Sequence, residues 1–385
     1  MNDERTPDVN APWLPYGRQW IDDSDIAAVT AVLRGDWLTT GPAVPAFEAA
    51  IAEVAGAPAV SVTSGTAALH AAYAGLGLGP GDEVITTPMT FIATASTAAI
   101  TGARIKFADI SPDTANIDPA AVEPLLTSRT AAIAGVDYAG HPMDIDGLRP
   151  LADRVGAVLL EDAAHSIGGS YHDRPVGSLA DVTTFSFFPT KNLTTAEGGA
   201  VVSNQPDLLA EIRRFARLGR TQNADELRHP DEGGWWYEMP SFGLNYRLPD
   251  VLCALGTSQL GRLPTFVARR TELVAKYNQL LADLPGLGLP TQRDGVSPAW
   301  HLYPVRIRHG RRREVFEKLR SSGIGVQVNY IPVYWHPIFE DSGYKRGMCP
   351  VAEQFYAEQL SLPLYPAMTD ADQLRVVEAL TCVLS

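Results

Sequence analysis

Five short β-rich runs, AVSV (Ala59 to Val62), EVITT (Glu83 to Thr87), RIKFAD (Arg104 to Asp109), AAIAGV (Ala131 to Val136) and AVLLED (Ala157 to Asp162), recur with helical stretches between them. Parallel strands need crossovers long enough to hold a helix, so this alternation predicts a mainly parallel sheet with helices on both faces. DVTTFSFF and GGAVVSN extend the sheet on either side of a polar turn. Open sheets of this kind gather ligand-binding groups at the carboxyl ends of their strands. Chemistry is therefore expected where these runs stop.

The polar turn lies inside SFFPTKNLTTAEGGAVV, Ser186 to Val202, and carries one lysine, Lys191, with Gly198 and Gly199 keeping it tight. Most lysines are solvated surface charges, and residue type alone gives this one no chemistry. Its neighbourhood does. LLEDAAHS, upstream, ends a strand and delivers Glu161, Asp162 and His165. A lysine able to form a Schiff base and an acid able to face a pyridinium nitrogen are what pyridoxal phosphate (PLP) needs from a protein. Neighbouring side chains on a strand point to opposite faces, so only one of Glu161 and Asp162 can reach such a ring.

VTSGTAALHAAYAGLG supplies the phosphate signal: a strand ends, Ser64, Gly65 and Thr66 turn the corner, and an Ala-rich helix begins with its free amides facing the turn. A plain N-capped helix reads the same way. His70 on that helix reads as a packing residue. TTPMTFIATA brings Phe91 to the same rim, where an aromatic either packs in the core or lies flat against a cofactor ring. No GxSxG elbow, HExxH pair, Walker sequence or CxxC pair competes with this arrangement.

The 385 residues allow a large domain and a smaller companion. We expect a leader over residues 1–12, a large cofactor domain over 13–248, and a long linking helix with a small α+β unit over 249–385. Ser24 is the expected N-cap of a first helix carrying Ile26, Val29, Val32 and Leu33. In the last unit HLYPVRI and IGVQVNY are the non-helical pieces, followed by two helical patterns. The Trp-rich link containing WWYEMP (Trp235, Trp236, Tyr237) reads as an interface or a ligand wall. A net charge of −13, with only Arg311 to Arg313 clustered, argues against a nucleic-acid partner. Cys253, Cys349 and Cys382 are too few and too scattered for a disulfide framework or a metal site. Without a signal peptide or a membrane-length apolar run, a cytoplasmic protein is expected.

EDAAHS, SFFPTKNLTTAEGGAVV and FGLNYRLPDVLCALGTSQL together resemble the DegT/DnrJ/EryC1/StrS family of PLP-dependent sugar aminotransferases. The resemblance runs from LPYGRQWID to the last helices. It implies an α/β chain of the aspartate aminotransferase fold (fold type I), acting as a homodimer with two shared active sites. WWYEMPSFGLNYRL, VDYAG, AWHLYPV and GVQVNYIPVYWHPIF point to the branch making UDP-4-amino-4,6-dideoxy-N-acetyl-β-L-altrosamine for pseudaminic acid. Two departures stand out: ARLGRTQ lacks the histidine of the common Arg-x-His-Gly run, and Asn329 replaces the branch's usual histidine.

By this resemblance Lys191 is the Schiff-base lysine and the proton-moving base, and Asp162 pairs with the pyridinium. His165 reads either as a core histidine hydrogen-bonded within the sheet or as a group near the cofactor's phenolic oxygen or ring, and by the resemblance Phe91 stacks on that ring. Ser64, Gly65, Thr66 and Ser186 hold the phosphate, and Asn245 reaches it from the other subunit. Tyr16, Trp37, Leu38 and Thr39 form one wall of the substrate site, and Gln327, Val328, Asn329 and Tyr330 the other. The implied reaction is transfer of an amine, usually from glutamate, to the 4-keto group of a UDP-linked 4-keto-6-deoxy sugar. A dTDP-linked or 3-keto sugar is the alternative. A related dehydratase would carry histidine in place of Lys191, and a non-catalytic sensor on this fold would not need Lys191, Asp162 and Ser186 together. At an ordinary pKa of about 10.4 Lys191 would be a poor base, so the site must depress it, and Schiff-base formation with a cationic cofactor is the expected cause.

Overall fold

The computed structural model describes residues 12–385, so the expected leader falls, but for Pro12, outside the described residues. Seven strands form the main sheet: β1 (Ala59–Val62), β2 (Glu83–Thr86), β3 (Arg104–Phe107), β4 (Thr130–Val136), β5 (Val158–Asp162), β8 (Val182–Ser186) and β9 (Gly199–Val202). Two strands, β6 (Ser170–Tyr171) and β7 (Arg174–Pro175), pair with β11 (Val296–Ser297) in a small satellite sheet. A third sheet joins β10 (Leu287–Gly288), β12 (Tyr303–Ile307) and β13 (Gln359–Leu362).

The main sheet runs β1-β9-β8-β5-β4-β2-β3. Pairs β2 with β3, β2 with β4, β4 with β5 and β5 with β8 are parallel, whereas β9 is antiparallel to both β8 and β1. The carboxyl ends of β1, β2, β5 and β8 therefore meet at one rim, joined there by the amino end of β9. All seven expected strands are present.

The helices are α1 (Asp23–Leu33), α2 (Ala43–Ala55), α3 (Gly65–Gly75), α4 (Ala93–Ile100), α5 (Pro119–Val122), α6 (Ile145–Val155), α7 (Pro206–Ala216), α8 (Asp250–Leu281), α9 (Arg312–Ser321), α10 (Pro337–Asp341), α11 (Pro350–Glu358) and α12 (Asp370–Leu384). Alternate strand residues feed two cores. Val84 and Leu160 pack with Ala68, Ala71 and Tyr73 of α3 and Ile212 of α7 on one face. Ile85 and Leu159 pack with Phe47 and Ile51 of α2, Leu148 of α6 and Leu260 of α8 on the other. Burial on both faces is why these strands read as unbroken apolar runs. A third core joins the last turns of α8 (Leu273, Tyr277, Leu281) to β12, β13, α9 and α12.

Two expectations need correction. The first helix is capped by Asp22, not Ser24: the Asp22 carboxylate accepts the Ser24 and Asp25 amides, and Asp25 accepts the Asp22 amide in return. A carboxylate that takes two amides outcompetes a hydroxyl, and Ser24 itself donates to Asp22 at 2.5 Å. IGVQVNY is non-helical, as expected, and makes two isolated bridges, Ile324 with Leu14 and Gln327 with Ser361. Strand β12 pairs with β13, which is hidden in the sequence because α11 runs into it without a turn residue. No helix among the described residues is long and apolar enough to cross a membrane, and no cluster among them could hold a metal ion. All three cysteines are free, Cys253 and Cys349 buried and Cys382 exposed.

Candidate active site

The main-sheet rim opens into a cavity of about 530 Å³. Strand β8 ends at Ser186 and β9 begins at Gly199, directly opposite, so Lys191 sits in the hairpin between them. The Phe187 amide donates to the Gly198 carbonyl at 2.9 Å and the Lys191 amide to the Phe188 carbonyl at 2.9 Å. Asn192 Nδ2 ties the turn to the Ala299 carbonyl at 2.9 Å. The amine so held is pushed down to about 8, first by burial, with Asp162 opposing. The depression expected at Lys191 is thus already produced by its surroundings without any contribution from a cofactor.

Asp162 ends β5 and lines the same cavity. Thr94 Oγ1 donates to its Oδ2 at 2.6 Å and the Ala164 amide to its Oδ1 at 3.2 Å. Burial raises its pKa; those two bonds and the Lys191 charge oppose the rise. Glu161 points to the opposite face, where it accepts from Thr183 Oγ1 at 2.9 Å and burial pushes it up to about 7. Beside it Asp137 is also raised, by burial and by the nearby Glu161 carboxyl, although Ser166 Oγ donates to it at 2.5 Å. Only one carboxylate of the pair reaches the cavity, as the strand period requires.

At the end of β1 the Ser64 hydroxyl caps α3 by accepting the Ala67 amide at 3.0 Å. That leaves the amides of Gly65 and Thr66, in the first turn, without helical acceptors. A Cβ on Gly65 would lie 2.7 Å from Ser186 Cβ, so only glycine lets the helix start approach the Ser186 hydroxyl this closely. A helix N-terminus, two free amides and a hydroxyl make a cradle for a phosphate. Four buried polar atoms of cavity-lining residues, His165 Nδ1, Thr184 Oγ1, His301 Nδ1 and Asn329 Oδ1, lack hydrogen-bond partners among the described residues. The residues present thus fit a flat, phosphate-bearing, polar group.

Phe91 stands at the mouth, 54% exposed, with its ring centroid 6.0 Å from that of Tyr330. His165 Nε2 lies 3.0 Å from the Tyr330 hydroxyl, and its ring is 4.4 Å from His301. Burial holds both histidines well below the usual imidazole range, so they are neutral. Tyr16, Gln327, Val328, Asn329 and Tyr330 complete the lining. Trp37, Leu38, Thr39 and Asn245 do not line this cavity in the single chain; all four are exposed. Asp250, buried at the start of α8, accepts the Gly41 amide at 2.7 Å and the Ala43 amide at 2.8 Å, fixing the turn that follows Thr39.

Sequence reasoning missed Thr94, Thr184, Glu197 and His301, which also line or support the cavity. For Thr94 no local signal exists, since its contact with Asp162 spans 68 residues. His301 stood in AWHLYPV, a motif read only for its family flavour.

A family model for the DegT/DnrJ/EryC1/StrS aminotransferases matches residues 19–381. The spore coat polysaccharide biosynthesis protein SpsC of Bacillus subtilis is 41% identical over 374 residues, covering 95% of this chain and 96% of SpsC. Helicobacter pylori PseC, an aminotransferase of pseudoaminic acid biosynthesis, superposes with a TM-score of 0.91 at 30% identity, covering 97% of this chain and 99% of that one. Spr1654 from Streptococcus pneumoniae, solved in PLP and PMP forms, gives 0.90 at 28% identity, with 96% and 98% covered.

Proposed function

The chain belongs to the DegT/DnrJ/EryC1/StrS aminotransferase family, and from that premise we propose that it moves an amino group from L-glutamate to the 4-keto carbon of a UDP-linked 4-keto-6-deoxy sugar. Membership makes it a PLP-dependent sugar aminotransferase on the aspartate aminotransferase fold. Nucleotide, keto position and donor are the proposal. The observation that carries it is the single cavity shared by Lys191, Asp162 and the amino end of α3, with Gln327 to Tyr330 facing them.

When bound, PLP supplies the carbon that carries the amine and a ring that takes up electrons as the proton beside it moves. The Gly65 and Thr66 amides with the Ser64 and Ser186 hydroxyls would hold its phosphate, and Asp162 would hold a protonated ring nitrogen. That pairing suits a buried carboxylate, which needs a cation beside it to stay ionised. Phe91 would lie against one ring face, and neutral His165 would offer a ring nitrogen to the phenolic oxygen. Lys191 Nζ moves the proton to and from the carbon bearing the amine. With its pKa near 8 it is neutral often enough at physiological pH to accept that proton. Delivery from one fixed side sets the configuration of the new amine.

The sugar lies between Tyr16 and the strip from Gln327 to Tyr330, its nucleotide toward the mouth. The likeness to PseC, an aminotransferase of pseudoaminic acid biosynthesis, and the resemblance of WWYEMPSFGLNYRL and GVQVNYIPVYWHPIF to the branch making a UDP-4-amino sugar support the 4-keto, UDP-linked choice. We place Trp37 to Thr39 and Asn245 in the site of the partner subunit of a homodimer. Supporting this is an apolar face open to water: Ile21, Ile26, Leu33 and Trp37 are exposed on and beside α1, and a groove of about 350 Å³ runs along it past Leu255.

The test is turnover with glutamate against UDP- and dTDP-linked 3-keto and 4-keto sugars, with the product examined by NMR. We expect a 4-amino-4,6-dideoxy sugar from the UDP series. An amine at C3 would overturn the regiochemistry, and turnover of dTDP sugars alone would overturn the nucleotide.

A further inference from the structure

Among the described residues, the main-sheet cavity is lined by one cation, Lys191, and by no arginine. For the substrate proposed above that is a shortage of positive charge, because a nucleotide diphosphate adds two or more negative charges to those of the cofactor phosphate. The neutral histidines cannot supply it, and Asp162 and Glu197 make the lining more acidic.

The missing charge is concentrated in a second cavity. Of about 770 Å³, it opens between the start of α2 and the segment after α7, and its charged lining is four arginines, Arg213, Arg217, Arg220 and Arg247, with one acid, Glu48. Arg213 is engaged, donating to Glu48 at 2.8 and 3.2 Å and to the Ala59 carbonyl at 3.2 Å. The other three have no carboxylate within ion-pair distance among the described residues. The Arg220 guanidinium lies 4.1 Å from the centre of the Tyr237 ring, which covers a face of the planar group and leaves its N–H edges available. Burial, then the neighbouring Arg213 and Arg247, lowers the pKa of Arg217, with Glu48 opposing. Four guanidinium groups around one carboxylate, Glu48, which Arg213 already engages, leave a surplus of positive charge that is out of place in a chain of net charge −13 unless an anion is to enter among them.

Two features join this cavity to the site. Thr40 and Gly41 line it and directly follow Trp37 to Thr39. Arg217 pairs with Asn245 in an antiparallel bridge, and Arg247 follows two residues later. The segments expected at a shared site but absent from this chain's own main-sheet cavity therefore both flank the arginine cavity.

We propose that Arg217, Arg220 and Arg247 form a diphosphate subsite that faces the main-sheet cavity of the partner subunit and receives the diphosphate of the sugar nucleotide bound there. The proposal rests on the two-chain, sugar-nucleotide reading given above. Arginine suits the task because its planar fork meets two phosphate oxygens at once, whereas lysine offers a point charge.

The experiment uses the cofactor-loaded protein, with inorganic pyrophosphate and UDP as probes in calorimetric titrations at low and high salt. Wild type binds both, more weakly at high salt, and each competes with the sugar nucleotide in turnover. Arg217→Gln, Arg220→Gln and Arg247→Gln each weaken binding by about tenfold to a hundredfold and raise KM for the sugar nucleotide by a similar factor. The colour change of the cofactor with glutamate alone keeps its rate. Arg220→Lys, which retains the charge, recovers part of the affinity and guards against a folding defect in the glutamine variant.

Unchanged probe affinity in all three glutamine variants would overturn the subsite while leaving sugar aminotransfer intact. Slowing of the glutamate step with KM for the sugar untouched would overturn it in favour of a dicarboxylate site, and binding without competition would overturn it in favour of a separate effector site. If no nucleotide-linked keto sugar is turned over, the underlying reading fails before the subsite does.

Discussion

Lys191 should destabilise the cofactor-free protein, and replacing it should show by how much. Its amine falls from an ordinary 10.5 to about 8, which at about 1.36 kcal/mol per pH unit corresponds to roughly 3 kcal/mol of disfavoured burial. The sign follows from which state binds the proton. Below pH 8 both native and unfolded chains hold it, and the cost is full. Between about 8 and 10.5 the unfolded chain holds more protons than the native one, so stability rises with pH and the cost fades. Lys191→Met keeps the length of the side chain without the charge. It also leaves buried Asp162 without its cation, which returns part of the gain. The net effect at pH 7 is about 1–3 kcal/mol in favour of the variant. In a chain of this length that is roughly 1–3 °C in melting temperature, measured by scanning calorimetry on cofactor-free protein. The gap should close as pH approaches 10.5, while turnover by the variant is lost at every pH. Equal melting at pH 7, or a gap that widens as pH rises, would refute burial as the cause of the lowered pKa.

Other substitutions probe the rest of the site. Glu161→Gln should keep activity and remove a decline in stability as pH rises from 4.5 to about 7, because the buried acid holds its proton longer than the unfolded one. Asp162→Asn should instead cost roughly a hundredfold or more in kcat with the fold kept, checked by steady-state rates and circular dichroism. Asp250→Ala, by unpairing the Gly41 and Ala43 amides, should cost about 2 kcal/mol in denaturant unfolding. It should also raise KM for the sugar nucleotide without slowing the glutamate step; an unchanged KM would mean that the turn after Thr39 does not position the substrate wall. Mixed Lys191→Ala and Asn245→Ala subunits, each inactive alone, should regain activity through hybrid dimers, and no recovery in subunits shown to exchange would argue against a shared site.

The parts legible in the sequence are those where local pattern and tertiary burial agree. The main-sheet strands are apolar throughout because both faces are covered, and the lysine hairpin announces itself by glycines and a polar turn between two such runs. Strand alternation separates Glu161 from Asp162, but not which of the two faces the cavity. That needed the position of α4, whose Thr94 reaches Asp162 and leaves no trace in sequence spacing. Strand β13 was hidden by its junction with α11, and the Asp22 cap by a serine two residues later with the same preference. The arginine cavity drew no notice because Arg213, Arg217, Arg220 and Arg247 are spread over two segments and form a cluster only once Arg217 lies beside Asn245.

Fixed and movable walls of the site can be told apart by what holds them. The strip from Gln327 to Tyr330 is tied at several points. The Tyr138 hydroxyl donates to the Asn329 carbonyl, the Asn329 amide donates to Gln359 Oε1 at 2.9 Å, and Tyr330 meets His165 at 3.0 Å. Just beyond, the Val333 amide donates to the Pro88 carbonyl at 3.1 Å. Tyr138, His165 and Pro88 belong to the main-sheet rim and Gln359 to β13, so the strip cannot shift without breaking contacts on both sides. Among the described residues, Trp37 to Thr39 have no such ties to the rim: Asp250 fixes only the turn after them. The segment with Trp235 and Tyr237 is held through Glu238, which accepts the amides of Arg228 and His229 at 2.8 Å and Trp236 Nε1 at 3.1 Å, all within the same loop. On the proposed reading, discrimination among sugar rings would fall to the rigid strip, where an unpaired buried atom such as Asn329 Oδ1 makes a missing hydroxyl costly. On the same reading, accommodation of the nucleotide would fall to the two segments tied only locally, whose position relative to a second chain could adjust as the substrate enters.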